Sequence, residues 1–365
     1  MSEWKKTYLR DLIVIKNGKD HKKLKNGPYP VYGSGGIMRY ADSYLYDQES
    51  VLLPRKGTLN NIQFVTEPFW TVDTCYYTVV NRDKVLPYFL YCCLCKMDIQ
   101  SLNTGSAVPS MTFEKYYSIE VPIPPLSTQH CIANILSRYD SLIENYQKQI
   151  KLLEEAAQRL YKEWFIDLHF PRHENTNIID GVPEGWEKKK LIDLVDVQYG
   201  YAFDGHLFNS KGEGTPIVRI RNIPDGCTSD YTTEEANDSY IVNDGDILIG
   251  MDGIFHINTW CGGKSYLVQR ACSFRPKNVS MKGFILQAIY EPIKFFENTV
   301  VGATVAHLGK KHIDSIELLV SNDDKMYKPF EKMFNERQTL KTQLRLLTEA
   351  RDRLLPKLIS GEITV

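Results

Sequence analysis

No run in the 365 residues approaches eighteen consecutive apolar positions, so nothing in the sequence predicts a membrane-spanning helix. The opening Met1-Ser2-Glu3-Trp4-Lys5-Lys6 leads into a broken pattern instead of the apolar core of a signal peptide, and the chain is predicted to be cytoplasmic. Bulk charge is missing too. Lys and Arg number 44 against 45 Asp and Glu, a formal net charge of -1, which excludes a protein that coats nucleic acid by charge alone. Neutrality hides a distribution: 15 basic against 12 acidic residues over 1–125, 5 against 6 over 126–170, 16 against 22 over 171–325, and 8 against 5 over 326–365. The densest basic stretch is Lys16, Lys19, Lys22, Lys23 and Lys25, opposed only by Asp20; it reads equally as a solvated loop or a phosphate contact. Cys75, Cys92, Cys93, Cys95, Cys131, Cys227, Cys261 and Cys272 are scattered without the plan of a disulfide framework and are predicted to be reduced thiols.

Catalytic signatures are equally scarce. Asn258-Thr259-Trp260-Cys261-Gly262-Gly263-Lys264-Ser265 approaches a phosphate loop, but Asn258 stands where the cradle needs its first glycine. Gly33-Ser34-Gly35-Gly36 lacks the third glycine and the following helix of a dinucleotide fingerprint, which leaves a flexible turn. Cys92, Cys93 and Cys95 fall on an apolar helix without a second cysteine pair or a spaced histidine, and His307 and His312, five apart, do not share a helical face. A base methyltransferase would need a cofactor-binding glycine motif and an Asn/Asp-Pro-Pro-aromatic tetrapeptide, and neither is present. The chain is therefore expected to hold no catalytic residue, metal or cofactor of its own.

What is present is ordinary globular composition, 43% hydrophobic, 24% charged and 12% aromatic, in a length that suits two or three domains. The chain also repeats itself. Trp4, Leu9-Arg10-Asp11-Leu12 and Gly18 match Trp186, Leu191-Ile192-Asp193-Leu194 and Gly200 at an offset of 182. Val51-Leu52-Leu53 and Gly57 match Ile247-Leu248-Ile249 and Gly253 at 196. Cys75, Gly105, Val108, Ser118, Ile119 and Glu120 match Cys272, Gly302, Val305, Ser315, Ile316 and Glu317 at 197. Self-similarity kept in this order predicts two copies of one architecture.

Residues 127–166 contain neither Gly nor Pro and follow Pro124-Pro125, with Ser127-Thr128 as expected caps, so a long helix is predicted there. Ile132, Leu136, Tyr139, Ile143, Tyr146, Ile150, Leu153, Ala157, Leu160 and Trp164 fall on alternating d and a positions of one heptad seam. Forty helical residues rise on the order of 60 Å. A shift of 194 gives Met326, Phe330, Met333, Arg337, Leu340, Leu344, Leu347, Arg351, Leu354 and Leu358, apolar at all but the two arginines. Two helices of matched length and register predict an antiparallel coiled coil. The alternative is that each helix packs on its neighbouring domain. Arg337 and Arg351 either set the register or face a partner protein.

The expected organisation is a globular half over 1–125, a spacer helix over 126–170, a second half over 171–325, and a C-terminal spacer helix over 326–365. Strands are predicted at Ser50–Leu53, Ile62–Val65, Thr74–Val80, Ile217–Ile220 and Asp246–Ile249, and helix at Tyr88–Leu102 and Phe284–Phe296. Neither half alternates strand and helix as a doubly wound sheet does, so the fold class is α+β. Aromatic and basic residues gather on glycine-bearing loops, where Arg and Asn suit base edges and Lys, Ser and Thr suit phosphates. In the first half the candidates are Lys22, Lys23, Tyr29, Tyr32, Ser34, Arg39, Arg55, Lys56, Thr58, Asn60 and Asn61. In the second they are Tyr201, Arg219, Arg221, Asn222, His256, Lys264 and Arg270. For any one of these, a polar turn or a buried tyrosine is an equally good reading.

The whole plan resembles the DNA-specificity subunit of Type I restriction-modification systems. The resemblance rests on the doubled order of domain and helix, and on four strings. These are Gly105-Ser106-Ala107-Val108-Pro109, Ile119-Glu120-Val121-Pro122-Ile123-Pro124-Pro125-Leu126, Leu160-Tyr161-Lys162-Glu163-Trp164-Phe165, and Leu354-Leu355-Pro356-Lys357-Leu358-Ile359-Ser360-Gly361-Glu362-Ile363. Tyr29–Tyr46 with Leu53-Pro54-Arg55-Lys56-Gly57-Thr58 is similar to one recognition-domain type of that family. The second half departs at Val305-Ala306-His307 and lacks Pro-Pro before its helix. The resemblance implies that each half is a target-recognition domain reading one half of an asymmetric double-stranded DNA target, and that the helices set the gap. It also implies docking of two methyltransferase subunits and joining by restriction-translocase subunits, with S-adenosylmethionine, ATP and Mg used by those partners. Two rival classes stay open: a two-domain coiled-coil adaptor without DNA specificity, and a self-contained nuclease or methylase with a degenerate site. Salt-dependent DNA binding discriminates the first, and activity of the purified single chain the second.

Overall fold

The computed structural model describes residues 4–105, 108–299 and 306–365. Ser106, Ala107, Gly302 and Val305 of the sequence matches lie outside them. The chain divides into two compact units, Met1–Leu142 with Leu347–Val365, and Ile143–Leu346. No helix among the described residues is long and apolar enough to cross a membrane.

In the first unit the elements are β1 (Lys5–Tyr8), β2 (Ile13–Asn17), β3 (Tyr29–Gly33), β4 (Gly36–Ala41), β5 (Ser50–Pro54), β6 (Gln63–Val65), β7 (Trp70–Thr71), β8 (Cys75–Val80), α1 (Pro87–Cys95), α2 (Phe113–Tyr117), β9 (Glu120–Ile123) and the start of α3 (Leu126–Tyr161). β2-β8-β5-β6 form one sheet and β4-β3-β7 another, and β1 pairs with β9. Every residue of β5 is buried, as expected of a continuous apolar run covered on both faces. Pro87 opens α1, where a missing N–H costs nothing. That helix sends Phe89, Leu90, Cys92 and Cys93 into a core shared with Leu9, Val51, Leu53, Ile132, Leu136, Leu355 and Leu358.

In the second unit, β10 (Ile178–Ile179), β11 (Val182–Pro183), β12 (Trp186–Lys190), α4 (Leu191–Leu194), β13 (Val195–Tyr199), β14 (Phe208–Asn209), β15 (Thr215–Val218), β16 (Tyr231–Thr232) and β17 (Ile241–Val242) come first. They are followed by β18 (Ile247–Gly250), β19 (Ile257–Thr259), β20 (Ser265–Leu267), β21 (Ala271–Pro276), α5 (Lys282–Ala288), α6 (Tyr290–Thr299), α7 (Lys310–Asp314), β22 (Glu317–Ser321) and α8 (Lys328–Ile359). The sheet β13-β21-β18-β19 repeats β2-β8-β5-β6, and β12-β22 repeats β1-β9. The parallel pair β15-β20 repeats β3-β7, while β14, β16 and β17 are additions.

The duplication reaches single hydrogen bonds. Leu9 N donates to Ile119 O and Leu191 N to Ile316 O, both at 2.9 Å, and Asn81 N→Leu12 O (2.8 Å) recurs as Lys277 N→Leu194 O (2.9 Å). A Cβ on Gly18 would lie 2.0 Å from Val72 O, and one on Gly200 2.1 Å from Val268 O, so both positions admit only a residue without a side chain. One sequence match is corrected. Asn17 pairs with Tyr76 and Tyr199 with Cys272, so Cys272 answers Tyr76, and Cys75 answers Ala271. Both strands bury small and large side chains at these places, which allowed the cysteine identity to mislead by one step.

Other boundaries shift for local reasons. The predicted strand Ile217–Ile220 ends at Val218, and Ile220–Asn222 turns as a 3-10 helix closed by the Asn222 side chain, whose Oδ1 accepts from Arg219 N at 2.9 Å. Helix Tyr88–Leu102 breaks after Cys95, and Asp98 caps a separate 3-10 turn, accepting from Ser101 N. Leu126 opens α3, so Ser127 and Thr128 lie inside its first turn and are not caps. The anchoring falls to Gln129, fully buried, which donates to Lys84 O and Pro124 O and accepts from Leu86 N. α3 ends at Tyr161, and Lys162–Ile166 continues it with wider π turns.

In the first unit the start of α3 meets the end of α8, and in the second the end of α3 meets the start of α8, so the helices run antiparallel in each. No position of either predicted seam is exposed. The packing alternative also holds at the ends, because Ile132 and Leu136 belong to the first core and Phe330 to the second. Arg337 and Arg351 are spent within the chain. Arg351 pairs with Asp140 at 2.9 Å and Arg337 with Glu154 at 2.6 Å, each two heptads from the other on both helices, and these partners suit a register-setting role.

Candidate nucleic-acid interface

In the first unit four loops converge. The β3-β4 turn is closed by Ser34-Gly35, and Asn61 Nδ2 donates to Ser34 O at 2.7 Å, while Gln63 Nε2 donates to Gly33 O at 3.2 Å. The segment after β5 is fixed from two sides: Arg55 N donates to Thr74 O at 2.8 Å and Gly57 N to Pro109 O at 2.9 Å. Arg55 Nη1 reaches Asp73 O at 3.3 Å, and its guanidinium lies 5.8 Å from the Tyr76 ring centroid. Asn60 Oδ1 accepts from Gln100 N at 2.8 Å. Ser34, Arg55, Lys56, Thr58, Asn60 and Asn61 are thus brought to neighbouring loops, with Lys56 and Thr58 exposed.

The remaining candidates of that unit are placed differently. Lys22 and Lys23 are exposed on the long β2-β3 loop. Arg39 is engaged with that loop, donating to Leu24 O at 3.1 Å and Asn26 Oδ1 at 3.0 Å. Tyr29 packs edge-on against Tyr44 and Tyr32 against Phe69, which makes Tyr32 a half-buried support for the hairpin. Burial, with Glu67 nearby, pushes the Tyr32 hydroxyl up to about 12, so it stays a neutral donor.

In the second unit the candidates form two groups. Arg221 grips Asp230 with Nη2 and Nε, at 2.7 and 3.1 Å, while Asn222 Nδ2 reaches the same carboxylate at 3.3 Å. Arg219 lies 5.4 Å from the Phe208 ring centroid. The other group centres on Asp252, which accepts from Arg270 Nη1 at 2.5 Å and contacts His307 Nδ1 at 2.5 Å. Asp252 and His307 were not among the sequence candidates. Tyr201 is partly exposed against Phe203 and Tyr240, Lys264 is exposed, and His256 lies on the loop before β19.

Sequence reading also missed a polar latch. Arg337 Nη1 donates to Thr259 Oγ1 at 2.7 Å, Gln338 Nε2 to Trp260 O at 2.6 Å, and Lys341 Nζ to Thr259 O at 2.6 Å and Asn258 Oδ1 at 2.8 Å. The segment that approached a phosphate loop is therefore where α8 fastens to β19. The i, i+4 spacing of Arg337 and Lys341 on one face was the available signal. Burial, reinforced by the Arg337 charge, pushes the Lys341 ammonium down to about 8. A depressed lysine costs stability below its folded value and is relieved as pH climbs from about 8 toward 10.5. The stability of the natural chain relative to Lys341→Met is expected to rise by about 2 kcal/mol between pH 8 and pH 10, measured by denaturant unfolding. A flat difference would contradict the burial of a charged amine there.

The family described as Type I restriction modification DNA specificity domain matches residues 1–155 and again 183–345. The chain belongs to this family. Among relatives of the Type I specificity family, the MjaIX specificity subunit of Methanocaldococcus jannaschii is 26% identical over 359 residues, covering 88% of this chain and 79% of the relative. The MjaVIII specificity subunit of the same organism is 30% identical over 256 residues, 67% of this chain and 55% of that one. The S subunit of a Type-I restriction-modification system from M. genitalium has the same fold, with a TM-score of 0.65 at 18% identity over 97% of this chain and 96% of its own. The first matched segment carries the convergent loops of the first unit, and the second carries both groups of the second unit.

Proposed function

We propose that this Type I specificity subunit supplies the DNA address of a restriction-modification complex and leaves the chemistry to its partners. Residues 1–125 and 171–325 act as target-recognition domains, each reading one half of a two-part asymmetric target. The helices over 126–170 and 326–365 set the gap and dock two methyltransferase subunits, with restriction-translocase subunits joining for cleavage. S-adenosylmethionine, ATP and Mg serve those partners. The observation that carries the reading is the duplicated frame of loops bearing different Arg, Lys, Asn and Ser side chains, the residue types that suit base edges and phosphates. Near-zero net charge accords with partners that neutralise much of the phosphate backbone.

The test is co-expression with the methyltransferase partner in a methylation-free host, with modified adenines mapped by long-read sequencing. A two-part motif with a fixed gap, absent without this chain, is the expected result; no motif from a soluble complex favours the adaptor class. Adding one heptad to both long helices, at matched places between the Arg337–Glu154 and Arg351–Asp140 pairs, is expected to lengthen the gap and leave both half-sites unchanged. An unaltered gap would remove the spacing role.

A further inference from the structure

The two units place different chemistry on one backbone frame. In the first, Lys56 forms an isolated bridge with Ser110, Gly57 N donates to Pro109 O, and Arg55 N donates to Thr74 O. In the second, Asp252 bridges His307, Gly253 N donates to Ala306 O at 3.0 Å, and Met251 N donates to Arg270 O at 2.8 Å. Gly57 and Gly253 both take positive φ, 89° and 68°. Lys56, Thr74 and Ser110 therefore occupy the same three places as Asp252, Arg270 and His307. A frame whose backbone bonds are kept while all three side chains change is what two readers of different half-sites require.

The second set is built as a clamp. The Asp252 side chain is 14% exposed, against 68% for Arg270 and 59% for His307, so the acid sits beneath an outward guanidinium and an outward imidazole. Burial raises the Asp252 carboxyl, but hydrogen bonds from His307 and Arg270 and the guanidinium charge outweigh it and leave the group lowered and ionised. Arg270 adopts φ 68°, a left-handed conformation rare for a residue with a side chain and concentrated at functional sites. One Nη of Arg270 is held by Asp252, which fixes the fork and leaves its other N–H donors open. Arg221, by contrast, spends both Nε and Nη2 on Asp230.

We infer that Asp252, Arg270 and His307 determine specificity in the second half-site, with Asp252 the positioning residue that holds Arg270 against the acceptor edge of a guanine and His307 beside it. This rests on the proposed DNA-reading function. Guanine is the base whose O6 and N7 match the arginine fork.

The test uses the purified complex with its methyltransferase partner and competition binding on duplexes carrying the mapped target and each single-base change of it. Arg270→Gln and His307→Gln are expected to lower discrimination at one G·C position by about tenfold to hundredfold, with the other half-site untouched. Asp252→Asn should loosen the same position and no other. Unchanged discrimination in Arg270→Gln, or an equal fall across both half-sites, would overturn the assignment. If that complex does not assemble, Arg270→Lys decides, because it keeps the charge and loses the fork. A natural complex with no two-part target would overturn the underlying function, and that result is visible before any variant is made.

Discussion

Gly200→Ala is expected to destabilise the second unit severely and Gly18→Ala the first. Each glycine directly follows the first strand of its main sheet and lies under a carbonyl: a Cβ would be 2.1 Å from Val268 O at Gly200 and 2.0 Å from Val72 O at Gly18. Ordinary backbone hydrogen bonds pin the flanking residues to the same strands: Tyr201 N donates to Leu267 O at 2.9 Å and Lys19 N to Thr71 O at 2.8 Å. The obstacle in both cases is backbone, so no side chain can swing aside and the crossing strand itself must move. A displacement of that kind costs roughly 4 kcal/mol or more, a large share of the 5–15 kcal/mol that holds a typical domain together. Because Val72 and Val268, which would meet the added Cβ atoms, belong to separate apolar clusters, the damage should be local. Hydrogen exchange on the full chain should show protection lost in β13, β18 and β21 for Gly200→Ala, and in β2, β5 and β8 for Gly18→Ala. Natural protection in both variants would mean that the strands do not approach this closely.

Replacing residues 1–125 with the recognition domain of another Type I specificity subunit is expected to replace one half of the methylated motif completely and leave the other half intact. The graft is tolerable because its polar anchor to α3 is written in backbone groups, and a homologous domain brings apolar side chains of its own to pack on Ile132 and Leu136. Gln129 bonds Lys84 O, Pro124 O and Leu86 N, none of which depends on the incoming side chains. The readers are loop side chains such as Ser34, Lys56 and Asn61, held on a frame of main-chain bonds that a homologous domain would bring with it. Methylome sequencing of a host carrying the hybrid and its methyltransferase gives the answer. An unchanged motif would remove the recognition role from 1–125, and a change in both halves would show that the domains do not read independently.

Much of this was legible without coordinates, for identifiable reasons. Heptad spacing is a property of residue order, so Ile132 through Trp164 and Met326 through Leu358 announced two helices, and every one of those positions is at least partly buried. Buried central strands announce themselves as apolar runs, as at Val51-Leu52-Leu53 and Ile247-Leu248-Ile249. Glycines under close backbone contact cannot vary, so Gly18 and Gly200 stood out at equal places. The register of the repeat was less secure. A shared cysteine suggested that Cys75 answers Cys272, whereas strand pairing sets Tyr76 opposite it, because identity of one small buried residue carries no information about hydrogen-bond register.

The order of residues alone thus determined the doubling, the two antiparallel helices, the α+β class and the family. Only the tertiary structure decided which polar residues meet. Asp252 and His307 are 55 positions apart, and Arg337 reaches Asn258 and Thr259 across nearly 80, so no local pattern could pair them. Long-range polar contacts depend on how loops close over a packed core, and chain order does not encode that in any short window. For the same reason Arg39 and Arg221, both sequence candidates, turned out engaged, while Asp252, which was not a candidate, proved to be what holds Arg270 and His307 in place.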